Sequence, residues 1–182
     1  MRRPINKPFR WVVLIVVLGL AGSSCRQPET VPLENLPEQE SQELASVIHM
    51  ADPKAAPQLK SGFHNVEQNA WRWTERHFAV VLRPPAGGAS RGARLNLRFS
   101  IPAPVIEKLG AVTLSAAIGG VSLGPETYSR SGEYIYTRDV PASLLAGDAV
   151  TVEFDLDKAL PPGNTDQREL GVVASSVGFE AK

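Results

Sequence analysis

The chain has 182 residues, with 19 basic side chains against 19 acidic ones and a single cysteine. That length suits one folded domain with extensions. Interspersed, balanced charge excludes both the basic patch that nucleic-acid binding needs and the polybasic cluster that reads anionic lipid, and a lone cysteine excludes an internal disulfide.

At the N-terminus, Arg2, Arg3, Lys7 and Arg10 precede an unbroken apolar run from Trp11 to Ala21. The run is shorter than the ~20 residues of a membrane-spanning helix. Basic region, short apolar region and small residues come in the order of a secretory signal. The small residues, "AGSSC", end in Cys25. They resemble the lipobox of bacterial lipoproteins, in which the cysteine is lipidated and begins the mature chain, with Gly22 where leucine is usual. On that resemblance residues 1–24 are a signal peptide and Cys25 carries the acyl chains. The other reading is an ordinary secretory signal cut after "AGS", leaving a free thiol. Arg26 stands where aspartate would mark inner-membrane retention in enteric bacteria. The expected location is therefore the bacterial cell envelope, at the outer membrane where the host has two.

Residues 25–60 form the next segment. From Arg26 to Lys60 the chain is rich in proline and glutamate and has no aromatic residue. Such a stretch buries too little apolar surface to offset its chain entropy and is expected to be an extended tether. Within it "EQESQELASVIHM" lacks Pro and Gly and predicts two or three helical turns, marginal in isolation, with His49 solvated at their end.

Beyond Lys60 the hydrophobic period becomes two. "ARLNLRFSI", "VTLSAAI" and "AVTVEFDLD" alternate apolar with polar residues, as half-buried antiparallel strands do. Gly119-Gly120 supplies a two-residue hairpin turn into "VSL". "FAVVL", "EYIYTRDV" and "ELGVVASSVGFE" complete the set, the last apolar on both parities and so expected at the centre of a sheet. Segments rich in Gly, Pro, Asp or Ser separate them. "PVIEKLG" and "PASLLAG" predict single helical turns. The fold class is all-β: an antiparallel β-sandwich of about seven or eight strands.

No catalytic motif stands out. There is no H-E-x-x-H and no glycine-rich strand-to-helix loop, and the two G-x-S-x-G matches, at residues 88–92 and 120–124, fall in a turn-rich separator and in the hairpin after Gly119-Gly120. A Ser-His-Asp set drawn from His64 or His77 is what any serine-rich chain permits. Zinc needs three or four ligands, and the folded part has two histidines and no thiol. Asp155 and Asp157 share the polar parity of one strand and read as a solvated face. No catalytic residue, metal or cofactor is expected. Aromatic residues remain, because a pyranose ring has an apolar face on which Trp and Tyr stack. Tyr134, Tyr136 and Arg138 share one parity; Arg138 favours an outward ladder, whereas Val140 on the same parity favours an inward one.

"GFHNVE", "WRWT", the run from Val112 to Pro162 and "DQRELGVVASSVGFE" together resemble a bacterial β-sandwich module found as an accessory domain of polysaccharide-related glycosyltransferases and envelope proteins, with a layout like that of galactose-binding-like jelly rolls. The resemblance covers residues 61–182. It implies carbohydrate-associated envelope work without a reaction, with the membrane (through Cys25) and a glycan or a polysaccharide-machinery protein as partners. It also implies one strand before "RWT" and one after, "TERH" as the turn with Glu75 and His77 solvated, and architectural roles for Gly62 and Glu67, the latter accepting from backbone or from Arg72. Arg168 and Glu169 read as a paired structural motif. Because "EQNA" is poor strand material, Trp73 is expected in the core with its indole N–H satisfied. Trp71 is expected to be partly exposed and, with Tyr134, Tyr136 and Arg138, a candidate for stacking on a ligand. The alternative is a structural or protein-interaction envelope lipoprotein that binds no glycan.

Overall fold

The computed structural model describes residues 43–182. Among these residues ten strands join in one antiparallel sheet, in the order β6-β5-β9-β3-β10-β4-β8, with β1, β2 and β7 attached to β10, β3 and β5. They are β1 Val47–His49, β2 Leu59–Glu67, β3 Trp71–Leu82, β4 Ala93–Ile101, β5 Val112–Ile118, β6 Val121–Ser122, β7 Glu126–Tyr128, β8 Gly132–Val140, β9 Val150–Leu156 and β10 Val173–Ala181. Two short helices, α1 Gly88–Arg91 and α2 Ala103–Leu109, and a 3-10 turn at Ala142–Leu144 fill connections.

The sheet curls into a sandwich because β3 serves both layers. His77 to Leu82 pairs with β9, while Arg72 and Trp73 pair with β10. One layer is thus β5, β9 and the end of β3; the other is the start of β3, then β10, β4 and β8. Strict alternation does the rest. In β4, Leu95, Leu97 and Phe99 turn inward; so do Val152 and Phe154 in β9 and Leu114 in β5, and all are buried in one core. The stacked Phe78 and Phe154 rings lie at its centre, 4.9 Å apart. β10 is central, as its two-sided apolar pattern predicts, and a bulge between Ala174 and Ser176 interrupts its register with β4.

Three expectations need correction. The segment 25–60 is not a tether to its end. Within it Val47–His49 is a strand on β10, not a helix, and Ile48 and Met50 enter the core. The expected boundary between residues 60 and 61 therefore falls inside β2. The reason is tertiary: past Ala174, where pairing with β3 stops, β10 has one side open, and Ile48 gains burial there that an isolated helical turn cannot provide. Gly178 makes room for it, since a Cβ at that position would lie 2.6 Å from the Val47 Cα.

Secondly, "TERH" is not a turn. The reversal occurs at Gln68 and Asn69, both at φ 52°, within the loop-like "EQNA", and β3 runs unbroken through Glu75 and His77. These two are exposed, as expected, but as outward residues of a strand. Thirdly, the loop-like "EQNA" predicts a strand that is irregular before Arg72; the loop is there, but pairing begins at Trp71, and it is β2 whose register with β3 shifts three times. Gly62 allows one of these shifts: its φ is +73°, and a Cβ there would lie 2.0 Å from the His77 carbonyl oxygen.

Candidate functional site

The outer face of the β3–β10–β4–β8 layer carries an open groove of about 460 Å³. Strand register builds it. One row crosses three strands, from Val173 to Ser100 to Glu133. The neighbouring row sets Arg98 opposite Ile135. Trp71 opens β3 directly after the Gln68–Asn69 turn and lines the groove with Arg98, Ser100, Glu133, Ile135 and Ser175. Ile135 is exposed, although β8 alternates regularly, because its position falls on the outer parity. Among the described residues neither Arg98 nor Glu133 has an ion-pair partner within 4.0 Å. The groove thus combines an indole, an aliphatic side chain, two hydroxyls and uncommitted charges of both signs. That chemistry suits a ligand with an apolar face and many hydroxyl groups.

The four stacking candidates separate. Trp71 lies on the groove. Tyr134 also lines it, but packs against Tyr128 and Phe99 at ring-centroid distances of 4.6 and 5.9 Å and donates its hydroxyl to the Arg130 carbonyl. Tyr136 has no accessible surface and cannot stack on a ligand; its hydroxyl donates to the Gly124 carbonyl. Arg138 is committed too. Its guanidinium donates to the carbonyls of Gly124 and Pro125 and pairs with Glu126 at 2.9 Å. The ladder therefore points inward, as Val140 on its parity indicates, and fastens edge strand β8 to the segment leading into β7. Burial pushes the Tyr128 and Tyr136 phenols above their ordinary range, so both stay neutral. Cys25 lies outside the described residues.

Sequence reasoning missed Arg98, Ser100, Glu133, Ile135 and Ser175. Their signal was present only as polar parity on β4 and as one exposed isoleucine on β8. Nothing local to either strand says that the two are neighbours.

The other clusters are architectural. Glu67 accepts not from Arg72 but from Arg168 at 2.8 Å, and Arg168 also grips Asp166 through two nitrogens. That contact holds the Asp166 carboxyl down at about 2. Arg72 donates instead to the carbonyls of Met50 and His64. Glu169 does not pair with Arg168; its carboxylate accepts the Arg76 backbone N–H. Together these bonds tie the loop before β10 to the β2–β3 hairpin. Trp73 is half-buried against the core; among the described residues no acceptor meets its indole N–H, contrary to expectation. His77 pairs with Asp155 at 2.8 Å on the exposed face of the other layer. His64 meets the Glu169 carbonyl, and among the described residues no serine hydroxyl bonds either imidazole. Asp157, expected to be simply solvated, accepts the Thr113 backbone N–H.

No protein-family model matches the chain, and no curated protein matches it in sequence. Similar solved structures include the CBM36-1 domain of a multidomain xylanase from the hindgut metagenome of Trinervitermes trinervoides (14% identity, TM-score 0.43, covering 75% of this chain and 96% of that one). An acetyl xylan esterase from Butyrivibrio proteoclasticus aligns at 9% identity and TM-score 0.43, over 76% of this chain and 34% of its own. A CBM36 carbohydrate-binding module in complex with calcium and xylotriose aligns at 10% identity and TM-score 0.39, over 74% and 98%. At these values no function passes from those proteins to this one.

Proposed function

We propose that this chain is a non-catalytic glycan-binding module of the bacterial cell envelope, anchored through acylated Cys25 and working beside polysaccharide machinery. The observation that carries the binding reading is the outer-face groove, where Trp71 stands beside Ile135, Arg98, Glu133 and Ser100. Sugar rings present apolar C–H faces to an indole and hydroxyls to side chains of both polarities. Arg98 and Glu133 are available for such bonds because neither is held in an ion pair. The signal-like N-terminus and "AGSSC" support the anchor.

A glycan array probed with the purified protein, followed by calorimetry on the hits, tests the reading. Binding to at least one glycan is expected, and Trp71→Ala is expected to abolish it while the melting temperature holds. Absence of binding across the array would favour the alternative, a structural envelope lipoprotein that contacts a protein partner.

A further inference from the structure

The groove does not end at Arg98. A second depression, of about 250 Å³, continues on the same outer face and is lined by Val47, Asn96, Arg98, Ser176, Gly178 and Glu180. Arg98 lines both depressions. The register explains the continuity: Val47 lies opposite Gly178, Gly178 opposite Asn96, and Asn96 two residues from Arg98 along β4. From Ser100 to Asn96 the combined groove follows β4 for about 14 Å at ~3.4 Å per residue, further than one sugar ring reaches. Its far wall is β1, and Val47 there is 49% exposed, an aliphatic counterpart to Ile135 at the other end.

The charge of the lining is equally informative. One cation, Arg98, faces two carboxylates, Glu133 and Glu180. Glu180 is itself engaged by Asn96 at 3.3 Å and Arg94 at 3.7 Å. A polyanion entering this trough would meet carboxylates at both ends and uncommitted positive charge only at the middle. An uncharged chain meets donors and acceptors along the whole path. We propose, resting on the glycan-binding reading above, that the ligand is an uncharged polysaccharide strand lying along β4, in both depressions at once, with Arg98 bridging them.

The test uses the mature protein in calorimetric titrations against four neutral series, cello-, xylo-, manno- and malto-oligosaccharides from disaccharide to hexasaccharide, with oligogalacturonides as the acidic arm. For a neutral series that binds, affinity is expected to rise at least about tenfold from disaccharide to hexasaccharide. Val47→Asp should remove most of that gain, lowering hexasaccharide affinity far more than disaccharide affinity, and Val47 is exposed enough for the variant to fold. Arg98→Ala should weaken the long chains more than the short. Binding with no length dependence, a gain that survives Val47→Asp, or preference for oligogalacturonides would overturn this proposal and leave glycan binding standing. No binding to any series would overturn both.

Discussion

The Arg138 guanidinium lies over the Tyr136 ring, 4.1 Å from its centroid, and the two side chains share the Gly124 carbonyl as acceptor. A curled sheet has two edges to close. This pair closes one of them, joining β8 of one layer to the strand that pairs β5 in the other. Removing the cation takes the donor from the Pro125 carbonyl and from the Glu126 carboxylate, while the Gly124 carbonyl keeps the Tyr136 hydroxyl. Arg138→Ala is therefore expected to cost on the order of 2 kcal/mol, from a cation–π contact plus charged hydrogen bonds. Tyr136→Phe should cost about 1 kcal/mol for the single buried bond. Urea denaturation measures both, and glycan affinity should not change. A variant that loses binding at unchanged stability would return the ladder to the ligand face.

The two tryptophans of "WRW" make opposite contributions. Trp73 packs on the core and Trp71 on the groove. Since Trp73 is only half-buried, Trp73→Ala should cost somewhat less than the ~3–5 kcal/mol of a fully buried Trp. That is still a large share of the ~5–15 kcal/mol that holds a domain together. Trp71→Ala should shift the melting temperature little. Equal melting temperatures for the two variants would contradict this division.

Acid should act through Asp166. Arg168 holds its folded-state pKa at about 2, below the ordinary 3.8. A depressed carboxylate stabilises the fold above its unfolded pKa, and that stabilisation is lost as pH falls through the folded value. Asp166→Asn should therefore melt below wild type at neutral pH, and the gap should close between about pH 4 and pH 2. A melting-temperature series across that range decides it; a gap independent of pH would show that the Arg168 contact does not depend on charge.

The strand before the expected boundary is also open to test. Ile48 and Met50 are core residues, so protease should spare the chain from about Ser46 onward. A fragment begun at Gly62 should not fold cooperatively. Ile48→Ala is expected to cost about 2–4 kcal/mol. A stable domain starting at Gly62 would mean that β1 adds nothing.

Anchoring depends on Cys25. One acyl chain holds a protein to a bilayer only marginally, and stable attachment takes two signals. Cys25→Ser should move the protein from the membrane fraction to the soluble one or leave its signal uncleaved. Mass spectrometry of the mature N-terminus should find the acyl groups on Cys25, and an unmodified thiol would end the lipoprotein reading.

Local pattern alone determined much of this molecule. The alternation in "ARLNLRFSI" and "VTLSAAI" marks β4 and β5 to the residue, and the two-sided apolar run of β10 announces a central strand, because a period of two is imposed by the pleat wherever one face is buried. The same pattern left the facing of Tyr134, Tyr136 and Arg138 open, since Tyr and Arg each carry an apolar body and a polar end. Only pairing decided it, by placing Gly124, Pro125 and Glu126 where Arg138 could be satisfied inside. Pairing also turned the end of the expected tether into β1 and made a groove from Trp71, Arg98 and Ile135, which lie on three different strands. Which strands become neighbours depends on non-local burial and on the path of β3 between layers, and no window of sequence contains that information.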